Sequence, residues 1–582
     1  MSLPSVFSLC LAHHRAQRSS HKHVSYKGVH TAFAVLSGMG VLEQITPQSF
    51  RAALESKQVG EWMEAMQKEI DGCLAQQVWD VMERSSLPPR ANVIPVKWVF
   101  KIKTDENGKI TKFKARITPK GFKQRHGVDF FEVFANTGKY KSLRTMLSIA
   151  ARRDMELRQL DVPQAFTQAK LDETVYMEMP EGFATPGMVC RLKKSLYGLK
   201  QSPRNWYLLA SAFIKDELGF TACVSDPCLF HRRSRTGQLM LLFLFVDDMQ
   251  FGFDGKDEAE YEELHAALKE RFNITSLGES KFMLGMRITR DRGARTIMLD
   301  QELYITKALE KFGLEQCKPA RTPGAHSSHT RSPVEDREGM QNRPTDLKVY
   351  QEKVGTLLYA AISTRPDIAF DVNRLTQHMQ APTVADAQAC DRVFRFLAGT
   401  KNYGLLFGRN GSDALAVSAY ADADWGNDRT DRKSVTGWIA MINGDPISWA
   451  SKKQKVVAQS TCEAELYAEA AAINEAKWLS GLLQEIGLEL TEAPLIYGDN
   501  QSAQQLSKND IKSERTKHID IKYHFIHDEV NSGRVRLHWI PTTKQLADIL
   551  TKALAGPLHA DLRTQLLTRC TAQKTDQSIA RA

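Results

Sequence analysis

Leu239-Met-Leu-Leu-Phe-Leu-Phe-Val-Asp-Asp-Met-Gln-Phe-Gly-Phe253 is the stretch that decides how this chain is read. Every residue from Leu239 to Val246 is apolar, the signature of a strand buried on both faces. Asp247 and Asp248 follow, and a second apolar segment runs from Met249 to Phe253. Two carboxylates at the tip of a hydrophobic hairpin are costly to bury unless a positive group sits on them. A divalent metal with oxygen ligands fits that need. Asp is also a common turn residue, so the pair gains its meaning from the sequence on either side.

Upstream, Leu157-Arg-Gln-Leu-Asp-Val162 reads as a short strand carrying Asp161, with a helix over 142–153 before it. Asp161, Asp247 and Asp248 at strand ends form a set that can hold two metal ions about 4 Å apart. Trp62, Met63, Met66, Ile70 and Leu74 recur at helical spacing. Residues 98–103 and 110–117 flank Asn107-Gly108 and predict a β-hairpin. Alternation puts Lys112, Lys114 and Arg116 on one face of it, opposite Thr111, Phe113, Ala115 and Ile117. Such a face is a solvated edge or a grip for phosphates. Downstream, helices are expected over 258–272 and 301–312, with a strand over 282–288 between them.

A second regular region begins near Leu415. Strands are expected over 415–420, 437–442 and 446–449, then a long helix over 462–486. A strand over 495–497, a short helix over 501–506, a strand over 535–540 and a last helix over 544–554 complete a mixed sheet packed on helices. Asp422, Glu465, Asp499 and Asp548 fall at a strand end, in the long helix, at a strand end and in the last helix. Asp424 competes with Asp422, and Glu463 with Glu465. Two residues apart on a helix point in different directions, so one glutamate alone should reach a shared metal.

The motifs in the first region are Trp98-Val-Phe-Lys101, Lys114-Ala-Arg116, Lys120-Gly-Phe-Lys-Gln124, Gln159-Leu-Asp-Val-Pro-Gln-Ala-Phe166, Val175-Tyr-Met-Glu-Met-Pro-Glu-Gly-Phe183, Leu196-Tyr-Gly-Leu-Lys-Gln-Ser-Pro-Arg204 and Phe245-Val-Asp-Asp248. In that order they resemble the reverse transcriptase of copia-type LTR retrotransposons over about residues 48–399. The second region has Tyr420-Ala-Asp-Ala-Asp-Trp425, Ser460-Thr-Cys-Glu-Ala-Glu-Leu-Tyr467, Gly498-Asp-Asn-Gln-Ser502, Arg515-Thr-Lys-His-Ile519 and Gln545-Leu-Ala-Asp-Ile-Leu-Thr-Lys552. These resemble the ribonuclease H domain of the same Pol polyproteins.

The resemblance implies an α+β chain: a right-hand polymerase with fingers, palm and thumb, then a ribonuclease H-like mixed sheet with helices. Asp161, Asp247 and Asp248 would be the polymerase metal ligands, and Asp422, Glu465, Asp499 and Asp548 those of the nuclease. Each site would take two Mg2+ ions, with Mn2+ as the alternative. Lys114 or Arg116 would meet the triphosphate, Phe166 would exclude a ribose 2′-hydroxyl, and Gln201 would lie over the nucleotide pocket. For Phe166 and Gln201 the plainer readings are core packing and a helix-entry loop; for His518 it is a surface histidine. The partners implied are an RNA template, a DNA primer, an RNA–DNA hybrid and deoxynucleoside triphosphates. The family usually has Tyr at Phe245, Leu-Val-Ala at Ile117-Thr-Pro119, Pro-Val at Asn136-Thr137 and Asn-Gly at Gln168-Ala169. These departures leave every catalytic carboxylate in place. The rival reading is a catalytically silent nucleic-acid-binding remnant.

The totals agree with a multidomain globular protein: 582 residues, 42% hydrophobic and 25% charged. A net charge of +10 favours an anionic partner. Nine cysteines without CxxC pairs suit a reducing compartment, and no apolar run is long enough to span a membrane. An intracellular protein is expected, in cytoplasmic virus-like particles or the nucleus and not secreted. The expected boundaries are a disordered leader at 1–47 and fingers, palm and thumb at 48–318. A linker at 319–345, a helical connection at 346–412, a ribonuclease H-like domain at 413–556 and a tail at 557–582 follow. The leader has no acidic residue before Glu43, a trait shared with transit peptides.

Overall fold

A computed structural model describes residues 46–104, 110–325, 344–411, 414–426, 428, 431–501 and 520–570. The expected leader up to residue 45, the turn at 105–109, residues 326–343 of the expected linker, the expected helix over 501–506 beyond Gln501, and His518 lie outside them. The chain is α+β and divides into two compact units, residues 1–135 with 164–209, and residues 136–163 with 210–582. Among the described residues no helix is long and apolar enough to cross a membrane.

The first unit holds a four-stranded sheet in the order Trp79–Glu83, Met188–Lys194, Lys170–Glu178, Val93–Ile94. The expected hairpin forms from Val96–Thr104 and Ile110–Pro119. Its apolar face, with Phe100, Ile102, Ala115 and Ile117, is buried. Lys101 and Lys114 face each other across the strands. The helix Val59–Ala75 packs on the apolar side, where Trp62 meets Phe100 and Phe113 edge-on at 5.1 and 4.8 Å. Its buried stripe is Trp62, Met66, Ile70 and Cys73. Leu74, expected in that stripe, is exposed, because spacings of four, four and three follow the helical period more closely than a run of fours.

In the second unit Leu239–Phe245 is an inner strand, and Leu239 to Leu244 are each 2% exposed or less. The six-stranded sheet runs Thr275–Glu279, Glu156–Asp161, Asp248–Phe253, Leu239–Phe245, Leu229–Arg233, Thr221–Ala222. The helices Tyr140–Arg152 and Glu258–Phe272 accompany it. The single strand expected over 282–288 is two short strands, Phe282–Met283 and Met286–Asp291, joined by a tight turn. Leu284 and Gly285 both take positive φ there, 53° and 75°, as a type I′ hairpin requires. Met286–Asp291 leads into a five-stranded sheet with Thr296–Asp300, Tyr403–Phe407 and Thr568–Arg569.

The other five-stranded sheet has the order Asp445–Lys453, Val435–Ile442, Val417–Ala423, Leu495–Gly498, Arg536–Trp539. Its first three strands are antiparallel, and the last two run parallel to Val417–Ala423. The helix Thr461–Glu485 packs across it, and Asn443-Gly444 makes the turn between two strands with φ of 48° and 84°. The mixed sheet expected from the sequence is therefore present, with three differences. The last helix expected over 544–554 is two 3-10 turns, Thr542–Lys544 and Leu546–Leu550. The helix Asp520–Asn531 was not expected. The stretch expected as a tail from 557 opens with a helix, Gly556–Leu566, that buries His559, Leu562 and Leu566 on one face.

Candidate active sites

The first acidic group lies on the six-stranded sheet. Strand Glu156–Asp161 pairs antiparallel with Asp248–Phe253, and Asp161 stands opposite Asp248 in register. The intervening hairpin is closed by Phe245 and Asp248, leaving Val246 and Asp247 as the turn. Val246 has φ of 56°, a position glycine usually occupies, so a β-branched residue there is strained by about 1–3 kcal/mol. That turn aims the Asp247 carbonyl at the main-chain N–H of Val162, 2.8 Å away. Asp247 is thereby tied to the residue after Asp161. Gln159 Nε2 donates to Asp248 Oδ1 at 3.4 Å. All three aspartates are half-buried at one end of the sheet. Their carboxylates are not drawn into a group within 4.8 Å, as another set among the described residues is.

The expected nucleotide-contacting residues lie in the first unit. Phe166 sits in the short helix Ala165–Gln168, is 8% exposed, and meets the Tyr197 ring at 4.5 Å. The Arg116 guanidinium lies 4.1 Å from the centroid of the same ring. Arg116 and Phe166 thus both contact the Tyr197 ring, Phe166 at a tilt of 57°, a role for Tyr197 that its motif alone did not reveal. Gln201 is buried, and its amide is committed to protein partners. Its Nε2 donates to the Asp129 carbonyl at 2.8 Å, and its Oε1 accepts from Gln124 Nε2 at 2.9 Å. That geometry matches a residue holding the helix-entry loop. Glu69 is also buried, within reach of Gln164 and the positive field of Arg116 and Lys114. Burial pushes its carboxyl above the usual range, opposed by those groups and by the Ile117 N–H.

The second acidic group is tighter. Ligand oxygens of Asp422, Glu465 and Asp499 all lie within 4.8 Å of one another. Asp422 is the next-to-last residue of strand Val417–Ala423, Glu465 lies in the first turns of the long helix, and Asp499 follows strand Leu495–Gly498. The neighbouring alternatives have other partners. Asp424 accepts from the Val435 N–H, and Glu463 accepts from the Gln459 N–H at 2.6 Å just before the helix. Asp548 reaches Asp422 from the 3-10 turn Leu546–Leu550. The strand residue opposite Asp422 is Gly437, and a Cβ there would stand 2.9 Å from Leu550 Cβ and 2.5 Å from Thr551 Cγ2. The glycine lets the Asp548 turn lie against the sheet.

Two further residues of this site, Thr551 and Lys552, come from the Gln545-Leu-Ala-Asp-Ile-Leu-Thr-Lys552 motif, which by itself gave them no role. Lys552 Nζ stands 2.8 Å from Asp548 and 3.7 Å from Asp422, and the Thr551 hydroxyl donates to Asp422. Lys552 follows Asp548 by one helical turn, a spacing that could have drawn notice to it. Burial and the Asp422 charge push Asp548 up to about 7. Burial raises Asp422, opposed by Lys552. Burial, then Asp422 and Asp499, raise Glu465. A buried carboxylate cluster of this kind suits hard divalent cations, so the donor set fits magnesium or manganese.

Residues 76–326 match the family described as reverse transcriptase (RNA-dependent DNA polymerase). The chain is 40% identical over 516 residues to the Retrovirus-related Pol polyprotein from transposon TNT 1-94 of Nicotiana tabacum, covering 87% of this chain and 38% of that protein. It is 37% identical to the Pol polyprotein from transposon RE1 of Arabidopsis thaliana, over 87% of this chain and 34% of the relative. A truncated transposon Ty1-A Gag-Pol polyprotein of Saccharomyces cerevisiae is 28% identical over 86% of this chain and 42% of its own length. The chain therefore spans about two-fifths or less of these relatives. The foamy viral protease-reverse transcriptase, solved in complex with RNA/DNA hybrid, aligns with a TM-score of 0.42 at 13% identity, over 82% of this chain and 53% of that one. A likeness that loose transfers no residue roles.

Proposed function

We propose, for a chain that belongs to the copia-type retrotransposon Pol family, an RNA-directed DNA polymerase fused to a ribonuclease H. The observation that supports the reading is that ligand oxygens of Asp422, Glu465 and Asp499 lie within 4.8 Å of one another on one sheet, while Asp161 and Asp248 stand opposite each other in register on another. Asp161, Asp247 and Asp248 would hold divalent ions for nucleotidyl transfer from deoxynucleoside triphosphates to a DNA primer on an RNA template. Asp422, Glu465, Asp499 and Asp548 would hold them for cleavage of RNA in an RNA–DNA hybrid. Mg2+ or Mn2+ held there would supply activation of an oxygen nucleophile and neutralise charge on the phosphate.

The protein groups do the positioning. Asp161 and Asp248 are fixed opposite one another by strand register, and the strained Val246 turn fixes Asp247. Arg116 offers a guanidinium to the triphosphate, and Phe166 closes the space a 2′-hydroxyl would need. Gln201 holds the loop that enters its helix. Lys552 places its ammonium between Asp422 and Asp548 and offsets their repulsion. The compartment proposed is the cytoplasm, within a virus-like particle, with access to the nucleus.

The test is extension of a DNA primer on an RNA template by the purified chain. Extension that needs Mg2+ or Mn2+ and stops on chelation is expected, together with loss of the template RNA from the hybrid. A folded protein that binds the hybrid but performs neither reaction would favour the silent-remnant reading.

A further inference from the structure

We propose that Glu69 and Gln164 are positioning residues that lock the Phe166 turn to the strand carrying Arg116, and so set discrimination between deoxyribo- and ribonucleotides. The inference rests on the polymerase reading above and goes beyond it in naming what holds the sugar-selecting ring in place.

Gln164 immediately precedes the short helix of Phe166 and takes a left-handed conformation, φ 51° and ψ 44°. A non-glycine residue there costs about 1–3 kcal/mol and persists when its surroundings fix it. Both ends of its amide are held from the helix Val59–Ala75 and its C-terminal cap. Nε2 donates to Glu69 Oε2 at 3.2 Å, and Oε1 accepts from Gln76 Nε2 at 2.6 Å. Gln76 Oε1 accepts in turn from Thr167 Oγ1 at 2.6 Å, closing a ring of hydrogen bonds around Phe166. Gly72 makes room, since a Cβ there would stand 3.1 Å from Gln164 Nε2.

Glu69 links this ring to the hairpin. It is buried, and it also accepts from the main-chain N–H of Ile117, the residue after Arg116. One carboxylate therefore fixes the backbone beside Arg116 and the side chain before Phe166. Those two residues both contact the same Tyr197 ring. Burying a carboxylate is costly without such partners. An apolar residue would fill the space at less cost but could hold neither backbone nor amide.

The experiment compares kcat/KM for a deoxynucleotide and its ribonucleotide counterpart in the full chain. Gln164→Gly keeps the left-handed turn, which glycine adopts freely, and deletes the amide. Its expected effect is a loss of sugar discrimination of about 10-fold with deoxynucleotide kcat retained, short of the roughly 100-fold that a 1 Å misplacement can cost. Gln164→Glu sets two carboxylates against each other and should also lose discrimination. The exchange Glu69→Gln with Gln164→Glu restores one carboxylate and one amide, and should restore the wild-type ratio. Wild-type discrimination in Gln164→Gly, or failure of the exchange to rescue Gln164→Glu, would overturn the proposal. Phe166→Ala is the control: an unchanged ratio there would mean that Phe166 does not select sugars, and the proposal would fall with that reading.

Discussion

Lys552 is the residue that reconciles Asp422 with Asp548. Two buried carboxylates in contact repel unless one is protonated or a cation lies between them. Here the ammonium supplies the cation, and the upward displacement of Asp422, Glu465 and Asp548 shows that it does not offset the burial and mutual repulsion in full. A carboxyl whose pKa is raised by folding favours the fold below its ordinary value and loses that contribution as pH climbs through its folded value, near 7 for Asp548. Divalent ions need the same groups deprotonated. The rise in melting temperature on adding Mg2+ is therefore predicted to be larger at pH 8 than at pH 6, and Asp548→Asn should shrink the difference. Equal shifts at both pH values would refute the link between these protons and the metal. At this scale the sequence was legible for residue type and place. It left Asp422 against Asp424 open, because strand-end direction is set by tertiary contacts; Glu463 against Glu465 was also left open, although the Ser460-x-x-Glu463 pattern marks Glu463 as the local cap of its helix. It also missed Lys552, Thr551 and Glu69, whose meaning comes from the neighbours that folding brings to them.

At the scale of elements, the helix Tyr140–Arg152 stands out. It precedes the Asp161 strand, yet Arg144, Ser148 and Arg152 bond to the strand Asp445–Lys453 of the sheet that carries Asp422. Arg152 pairs with Asp445 at 2.7 Å with both side chains buried, and Ser148 Oγ and the Gly408 N–H donate to the same carboxylate oxygen at 2.7 and 3.0 Å. Arg144 donates to the Ile447 carbonyl at 2.6 Å and lies over the Trp449 ring. Lys141 pairs with Glu475 at 2.8 Å. Removing one partner of a buried pair leaves the other charge stranded, so Asp445→Ala is predicted to destabilise the fold by about 3–5 kcal/mol. Denaturant unfolding would measure it, and a change below 1 kcal/mol would mean that Arg152 finds another partner. The sequence does not announce this latch, because its members lie almost three hundred residues apart in the chain. The expected linker is another such case. Residues 319–325 of it pack on the helix Val384–Thr400, with Arg392 donating to the buried Thr322 at 2.9 Å. A polar composition did not reveal that seat.

At the scale of the whole molecule, the sheets of Asp161 and Asp422 share one apolar core in the second unit, from Leu241 and Phe243 to Ile439 and Ile496. Stability is therefore common to both, while each acidic site keeps its own charges. Damage to the shared core, as in Asp445→Ala, should lower both activities together. Loss of one ligand should lower one activity only, by about 10²-fold, the scale of removing one major electrostatic contribution. The measurement that tests this most directly uses a single RNA–DNA hybrid with a recessed primer, scored at once for extension and for RNA cleavage. Asp247→Asn is predicted to lower extension by about 10²-fold and leave cleavage, and Glu465→Gln to do the reverse, both with wild-type circular dichroism. Loss of both reactions in either folded variant, or of neither, would contradict two independent metal-dependent sites in this chain.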